Sequence, residues 1–185
     1  MSDSPAKEDA RLVKQAKGGE LSAFGELYDQ YADAIFRFLY ARVNTRMDAE
    51  DLTSEVFLRA WRSLSDYHHQ GHPFSAYLFQ IARNLLIDYY RRSDRVEAMT
   101  EREMRLLSDE TAGPSAKVVQ QLEHAELRET LAQLRDDYRT VLMLRFVSGL
   151  SSQETAEAME RSSGAVRVLQ HRALAALRDL LEHTE

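Results

Sequence analysis

The sequence predicts an all-α protein made of two small helical domains joined by an acidic linker. Three observations support this fold class. Apolar residues recur at spacings of three and four through four segments, and no strand-length segment alternates convincingly. The 7 glycines and 3 prolines are too few for a many-turned β protein. Finally, a stretch in the middle of the chain loses the helical periodicity and carries an excess of acid.

The four apolar stripes predict the main helices in order. Each stripe repeats at three and four residues, as expected for one buried face of a helix. The stripes span residues 24–39, 52–64, 74–85 and 127–142.

The acidic stretch predicts the boundary between the domains. Residues 97–126 contain seven acidic and three basic residues, with Gly113-Pro114-Ser115 in the middle. This composition is typical of a linker, and its two ends retain some helical character. We therefore expect a first domain over 1–96, a linker over 97–122 and a second domain over 123–185.

Composition excludes several classes of function. With 24 basic and 30 acidic residues in 185, the net charge is −6, and there is no cysteine. Disulfide scaffolds, thiolate metal sites and cysteine nucleophiles are therefore excluded. No phosphate-binding loop, nucleophile elbow or zinc-protease motif occurs, which predicts that the protein is not an enzyme. Without a signal peptide pattern or a long apolar run, we expect no membrane insertion and a cytoplasmic location.

Residues 149–181 carry the sharpest local signal. Gly149-Leu150 ends one helix, and Ser151 with Glu154 three residues later forms the pattern of a capping box. A short turn over 160–162 then separates this helix from a longer one over about 163–181. A short helix, a turn and a long helix make a helix-turn-helix, whose second helix enters the major groove of DNA.

The charges of the second helix favour the same interpretation. Between Ser163 and Arg178 the chain has no acidic residue but has four residues suited to DNA, namely Arg167, His171, Arg172 and Arg178. Arginine can bond a guanine edge bidentately or clamp a phosphate. The apolar face would consist of Val166, Leu169, Ala173 and Leu177. The alternative is a basic, solvated helix of a bundle.

Several segments together resemble a known family. Residues 24–43, 48–64 and 74–92 resemble, in order and spacing, the second conserved region of sigma-70-family sigma factors. The C-terminal segment LRDDYRTVLMLRFVSGLSSQETAEAM and the helix after it resemble the fourth region. Both regions without the first and third are typical of the extracytoplasmic-function (ECF) subgroup. The resemblance implies an initiation subunit that binds the clamp and flap of core RNA polymerase, promoter DNA and an anti-sigma factor, without a cofactor.

The resemblance also implies three sets of site residues. The polymerase-binding set, which charge alone would assign to a solvated helix face, is Asp48, Asp51, Glu55 and Arg59. The set that melts and reads the minus-ten element is Tyr77, Gln80, Arg83, Asn84, Arg91 and Arg92. Phe79, Tyr89 and Tyr90 lie nearby as further aromatics for unstacked bases or as core residues. The set that reads the minus-thirty-five element is Ser162, Ser163, Arg167, His171 and Arg172.

Some residues depart from the family pattern. Tyr77 stands where tryptophan is usual and Gln80 where a basic residue is common, so melting is expected to use different contacts. In the recognition helix, Leu169 replaces the usual arginine and Gln170 the usual core leucine. The minus-thirty-five sequence therefore cannot be predicted by analogy.

The histidine cluster His68, His69 and His72 is the one candidate metal site. Imidazoles ligate zinc, but only Asp66 offers a carboxylate close in sequence. We expect no metal here, and favour contact with the promoter strand or a plain polar loop.

Two other functions stay open at this point. A stand-alone helix-turn-helix regulator would bind duplex DNA tightly without polymerase, at half-sites about one turn apart. An inactive module that titrates an anti-sigma factor would bind that factor and support no transcription.

Overall fold

The described residues form helices joined by turns, with no strand among them, which confirms the all-α fold. The computed structural model describes residues 5–43, 45–67, 73–100 and 129–182, with side chains of the fourth helix described to residue 92. The N-terminal half comprises α1 (Pro5–Lys17), α2 (Leu21–Tyr40), α3 (Arg46–Arg62) and α4 (Phe74–Thr100). The C-terminal half comprises a helical segment over 129–133, α5 (Asp136–Leu142), a π-helical turn (Met143–Val147), α6 (Ser152–Ala158) and α7 (Ser163–Glu182).

The N-terminal half is a bundle whose helix ends are determined by local chemistry. Gly19 has a φ of +95°, a left-handed conformation that favours glycine and turns the chain from α1 into α2. The Thr45 hydroxyl caps α3 by accepting a hydrogen bond from the Asp48 backbone amide at 3.0 Å. At the C-terminal end of α1, the Lys17 ammonium donates to the carbonyl oxygens of Ser65 and Tyr67 and so fixes the start of the α3–α4 connection.

Large apolar side chains from three helices meet in the centre of this bundle. Phe38 of α2 and Phe79 of α4 are buried and pack edge to face, with ring centroids 5.4 Å apart. Ile35 and Val56 are fully buried beside the same core. Burial of each such side chain contributes roughly 1.5–3 kcal/mol. Phe79 therefore belongs to the core, which is one of the two alternatives that the sequence leaves open for it.

The helix-turn-helix forms as the sequence predicts. The Ser151 hydroxyl accepts from the Glu154 amide at 3.1 Å, and the Glu154 carboxylate accepts from the Ser151 amide at 2.7 Å, which completes the capping box. Gly149 has a φ of +72° before it. Val166 and Ala173 of α7 are fully buried, as predicted, and Leu169, Ala176, Leu177 and Leu180 pack partly buried beside them.

Two features of the C-terminal half differ from the sequence prediction. The apolar stripe over 127–142 suggested one helix, but the described part of it breaks at residues 134–135 before α5 begins. The π-helical turn Met143–Val147, which continues α5, was not predicted. In the other half, α4 continues to Thr100, four residues into the predicted linker. The rest of that linker, 101–122, lies outside the described residues.

The two halves pack against one another. Helix α4 packs on α6, and α2 packs on the π-helical turn. The buried apolar side chains form one continuous core that includes residues of both halves. At the edge of this contact lies Arg42, whose side chain is only 3% exposed and binds Asp136 and Thr140 of α5. The described residues therefore form a closed arrangement.

Candidate nucleic-acid interface

One face of α4 presents a polar stripe. Gln80, Asn84 and Arg91 follow one another at spacings of four and seven, which places them on the same helix face. Asn84 and Arg91 are exposed, and Gln80 is half-buried. Ile87 completes the stripe and is 38% exposed, so an apolar side chain lies among the predicted minus-ten residues. Sequence reasoning missed Ile87, although the spacing of four from Arg83 and Arg91 could have indicated it.

Tyr77 lies at the N-terminal end of this stripe but belongs partly to the core. Its ring packs against Tyr67 and Phe74, with centroids 4.7 and 5.9 Å away. Its hydroxyl forms a 2.5 Å hydrogen bond with the Ser63 hydroxyl at the end of α3. Burial, assisted by nearby acidic groups, raises the pKa of Tyr67 to about 12. This aromatic cluster holds Tyr77 in one orientation.

The other two tyrosines of α4 serve internal contacts. The Tyr89 hydroxyl donates to the Asp48 carboxylate at 3.1 Å, which ties α4 to α3. The Tyr90 hydroxyl donates to the backbone carbonyl of Arg42, beside the contact between the halves. Their hydroxyls are thus engaged with protein groups, which fits the interpretation of these two rings as structural.

The helix-turn-helix covers part of the α4 stripe. The Gln80 amide donates to the Glu160 carboxylate at 2.9 Å, and the Arg83 guanidinium lies 3.5 Å from the same carboxylate. One turn earlier, the Ser75 hydroxyl donates to Glu154 at 2.8 Å. Two of the six predicted minus-ten residues therefore contact an acidic group of the C-terminal half.

A groove separates α3 from α4 on a different face. Its volume is about 400 Å³, and its lining includes the carboxylates of Asp51, Glu55 and Asp88. Arg59 crosses it, 2.7 Å from Glu55 and 3.9 Å from Asp88. Three of the four predicted polymerase-binding residues thus line one surface. The fourth, Asp48, accepts hydrogen bonds from Thr45 and Tyr89 and so also has a structural role.

Arg92 lies in this groove and not with the polar stripe. It follows Arg91 by one residue, which rotates it about 100° around the helix axis. The six residues predicted to contact the minus-ten element therefore divide between two faces of α4. Arg92 shares its face with Asp88, four residues before it.

Helix α7 presents its basic side chains to solvent. Arg167, His171 and Arg172 are all exposed, and Val168 beside them is 52% exposed. The Ser162 hydroxyl accepts a hydrogen bond from the Ala165 amide at 3.2 Å and so caps the helix, whereas Ser163 is half-buried. The predicted set therefore combines one helix cap with a row of exposed basic side chains over the first half of the helix.

Arg145 fastens α7 to the rest of the helix-turn-helix. Its guanidinium donates to the Gln170 side chain at 3.1 Å and to the carbonyl of Leu150. Gln170, which replaces the core leucine of the family pattern, thus gains a polar partner. The bond is half-buried, so its loss would leave a donor poorly solvated.

The electrostatics of the capping box favour an ionised Glu154. Burial acts to raise its pKa, but hydrogen bonds from Ser151 and Ser75, together with the charge of Arg145, hold the pKa below its ordinary value. An ionised Glu154 can accept bonds from both the cap and α4. The carboxylate therefore connects the helix-turn-helix to the N-terminal half.

Two sequence expectations concern groups outside these surfaces. In the part of the chain that the structure describes, no cluster of three or more histidine, cysteine or acidic residues could hold a metal ion. His68, His69 and His72 lie outside the described residues. None of the described helices is both long enough and apolar enough to span a membrane.

Comparison with known proteins identifies the family of this chain. Residues 27–96 match the family model of sigma-70 region 2, and residues 124–177 match that of sigma-70 region 4. The ECF RNA polymerase sigma factor BldN of Streptomyces coelicolor is 40% identical over 97% of this chain and 68% of its own length. SigD of Mycobacterium tuberculosis, also an ECF sigma factor, is 34% identical over 91% and 81%.

A solved structure extends the likeness to three dimensions. CnrH in complex with the cytosolic domain of CnrY superposes with a TM-score of 0.76 and 28% identity, covering 96% of this chain and 99% of that one. These matches give no support to a stand-alone regulator. The chain belongs to the ECF sigma factors of the sigma-70 family, which are not enzymes but subunits that join core RNA polymerase and direct promoter-specific initiation.

Proposed function

We propose that the three surfaces divide the work of initiation. The α3–α4 groove binds core polymerase, the α4 stripe reads and melts the minus-ten element, and α7 reads the minus-thirty-five element. In this scheme residues 1–96 and 123–185 act as the two domains and 97–122 as their linker. The observation that carries the proposal is α7, where residues 163–178 are free of acid in a chain of net charge −6. This local excess of basic residues over acidic ones suits contacts with phosphate and guanine.

The groove suits a basic partner on the polymerase clamp. Asp51 is exposed, and Glu55 is half-buried beside Arg59. Arg59 holds the Glu55 carboxylate in one orientation, and the carboxylates of the lining can pair with an incoming arginine or lysine. The carboxylates of the lining also disfavour an acidic partner, since Asp51, Glu55 and Asp88 would repel it.

The α4 stripe suits a separated DNA strand. Asn84 offers an amide that can pair with a base edge, Arg91 offers charge for a phosphate, and Ile87 offers an apolar surface on which a base can rest. Binding of single strands combines such stacking surfaces with cationic side chains. Tyr77 would present its ring edge from the aromatic cluster at the end of the stripe.

Transcription on a promoter library with purified core polymerase tests these assignments. Arg167→Ala is expected to lower transcription roughly five- to 150-fold by removing a base or phosphate contact, since one good bidentate contact contributes about 1–3 kcal/mol. Arg37→Ala is the control, because Arg37 is exposed on α2 and its replacement removes the same charge outside the helix-turn-helix. Equal losses from both variants would contradict a specific role for Arg167.

The affinity for core polymerase tests the proposed role of the α3–α4 groove. Asp51→Ala is expected to weaken binding to core polymerase severalfold, measured by fluorescence anisotropy of the labelled protein. Glu50→Ala is the control, because Glu50 is exposed next to it on α3 but pairs with Arg46. Unchanged affinity in Asp51→Ala would remove Asp51 from the polymerase-binding set.

We also propose a cytoplasmic location, where core polymerase acts, and an anti-sigma partner. CnrH, which shares the fold over almost its whole length, was solved with the cytosolic domain of CnrY bound. A partner of that kind would restrain this chain before initiation. Co-purification of this chain with a cognate regulator, and loss of transcription on its addition, would be the expected result.

A further inference from the structure

We propose that Lys17, the last residue of α1, is a positioning residue for strand separation at the minus-ten element. The proposal rests on the proposed role of α4, because Lys17 would act through Tyr77 and not by touching DNA. Helix α1 ends before residue 27, where the match to sigma-70 region 2 begins. None of the three predicted sets of site residues includes a residue of α1.

The Lys17 ammonium joins α1 to the turn that follows α3. It donates to the Ser65 carbonyl oxygen at 3.1 Å and to the Tyr67 carbonyl oxygen, 48 and 50 positions further along the chain. A lysine can bind carbonyl oxygens near the end of a helix, and a charged donor makes the stronger kind of hydrogen bond. One side chain therefore holds the backbone on both sides of Asp66.

The end of α1 is itself held in place. The Gly18 amide donates to the Lys14 carbonyl oxygen at 3.2 Å and closes the last turn of the helix. On the inner face, Leu12 and Ala16 are buried where α1 packs on α2 and α4. Because both the last turn and the inner face are packed, the Lys17 side chain extends from a fixed point.

Tyr67 connects the Lys17 contact to the start of α4. Its ring is buried and packs on Phe74 and Tyr77, with centroids 5.5 and 4.7 Å away. A shift of the backbone that Lys17 holds would therefore move the ring that packs on Tyr77. The Tyr77 hydroxyl bonds the Ser63 hydroxyl, which lies in the same turn after α3. The orientation of Tyr77 thus depends on the segment to which Lys17 binds.

A second contact from α1 reaches the same aromatic cluster. Asp9 is buried and accepts hydrogen bonds from the Tyr31 hydroxyl at 2.5 Å and the Gln30 amide at 3.1 Å. Burial, the largest effect, and the bond to Asp9 raise the pKa of Tyr31, so its hydroxyl remains a donor. The Tyr31 ring packs on Phe74, with centroids 6.3 Å apart. Helix α1 therefore supports the cluster through two separate chains of contacts.

Strand separation gains from an aromatic ring that is already in place. Stacking of a base on such a ring stabilises the unpaired strand, but ordering a mobile side chain at that moment costs part of the gain. With the Lys17 bonds intact, this ordering is completed on folding. Without them, Tyr67 and Tyr77 would have to be ordered while the strands separate.

Substitutions on α1 isolate the contact, with transcription measured on a promoter that the native chain selects from the library. Lys17→Met removes the donor and should lower transcription about two- to tenfold, the range for loss of one hydrogen bond. Lys17→Arg keeps the charge and the donors and should restore most of the activity. Lys14→Met is the matched control, because Lys14 is exposed on the same helix. Equal losses in the two methionine variants, or no rescue by arginine, would overturn the inference.

A mismatched template identifies the step that is affected. The loss in Lys17→Met should disappear on the same promoter with its strands mismatched across the minus-ten element, because separation is then no longer required. The affinity for core polymerase, measured by fluorescence anisotropy, should equal that of the native chain. An equal loss on both templates, or weaker binding to core polymerase, would overturn the inference.

A double variant tests whether Lys17 acts through Tyr77. Tyr77→Leu removes the ring and keeps an apolar side chain at this half-buried position. The double variant with Lys17→Met should lose no more activity than Tyr77→Leu alone, and additive losses would overturn the inference. If Tyr77→Leu loses activity but Lys17→Met does not, the positioning role is wrong and the proposed function stands. If Tyr77→Leu transcribes as well as the native chain, the proposed role of Tyr77 fails, and that of Lys17 fails with it.

Discussion

Replacement of Asp136 by asparagine is predicted to destabilise the protein more than its exposed position suggests. The Asp136 side chain is 64% exposed, but its partner Arg42 is 3% exposed. Asparagine removes the counter-charge, although its side-chain oxygen can still accept a hydrogen bond from the buried guanidinium, as Thr140 does. The free energy of unfolding should therefore fall because a buried charge loses its counter-charge, and not because surface contact is lost.

The expected loss is about 1–3 kcal/mol. Removal of one partner of a fully buried ion pair typically costs about 3–5 kcal/mol. Solvent at the exposed aspartate screens part of that interaction, which lowers the expected value. Asp137→Asn is the matched control, because Asp137 lies in the same first helical turn and pairs with Arg161 at 2.7 Å, both partly exposed. That variant should lose about 0.5 kcal/mol.

Urea unfolding followed by two probes measures the difference. Trp61 is the only tryptophan and packs against Phe24 at 4.9 Å, so its fluorescence reports the N-terminal half. Circular dichroism at 222 nm reports all helices. We expect coincident transitions in the native protein and separated ones in Asp136→Asn, since the contact between the halves is weakened.

Replacement of Arg42 provides a second test of the same argument. Arg42→Met removes the buried charge together with its desolvation cost, and Asp136 can then be solvated. Its loss of stability should be smaller than that of Asp136→Asn. A larger loss in Arg42→Met, or equal losses in Asp136→Asn and Asp137→Asn, would refute the argument from an unpaired buried charge.

Two further predictions concern the helix-turn-helix. The pKa of Glu154 is depressed in the folded state, so its stabilisation is present above the unfolded pKa of about 4.3 and lost as the pH falls through the folded value. Thermal unfolding from pH 6 to pH 3 should therefore show a smaller loss of stability in Glu154→Gln than in the native chain, and an equal loss would contradict this assignment. Gln170→Leu restores the family leucine but deprives Arg145 of an acceptor at 3.1 Å, so we expect destabilisation of about 0.5–1.5 kcal/mol by urea unfolding. Stabilisation by Gln170→Leu would show that apolar packing outweighs this bond.

Local sequence signals predicted the helices and the recognition motif well. The capping box at Ser151 and Glu154 was predictable because both of its hydrogen bonds join residues three positions apart. The buried face of α7 was predictable because Val166 and Ala173 lie two turns apart on a helix with a clear apolar side. In both places the determining interactions join residues that are close together in the sequence.

The assignments on α4 were harder, because aromatic residues serve cores and DNA alike. Phe79 was grouped with residues that could hold a base, but it is 1% exposed and packs on Phe38. Arg92 was grouped with Arg91, but one residue of rotation carries it into the α3–α4 groove. Periodicity identifies a helix, whereas the partner of each face depends on how the other helices pack.

Contact between the two halves was not predictable for a different reason. Glu160 and Arg83 are separated by 77 positions in the sequence, and Arg42 and Asp136 by 94. Each pair joins one polar residue of the N-terminal half to one of the C-terminal half. Neither pair leaves a periodic or compositional signal in the sequence. The only local hint is Glu160 itself, a glutamate at a helix end where the backbone favours glycine.

The acidic net charge constrains how the basic side chains of α7 can reach DNA. A chain of charge −6 is repelled by DNA at long range, so its basic α7 must be brought to the duplex by another molecule. Glu160 also accepts a hydrogen bond from Gln80 and lies 3.5 Å from Arg83, so two of the predicted minus-ten residues face an acidic group in this arrangement. In the proposed scheme, core polymerase binds the α3–α4 groove, on a different face of α4, and brings α7 to the duplex. Promoter recognition is then expected only in the assembled enzyme.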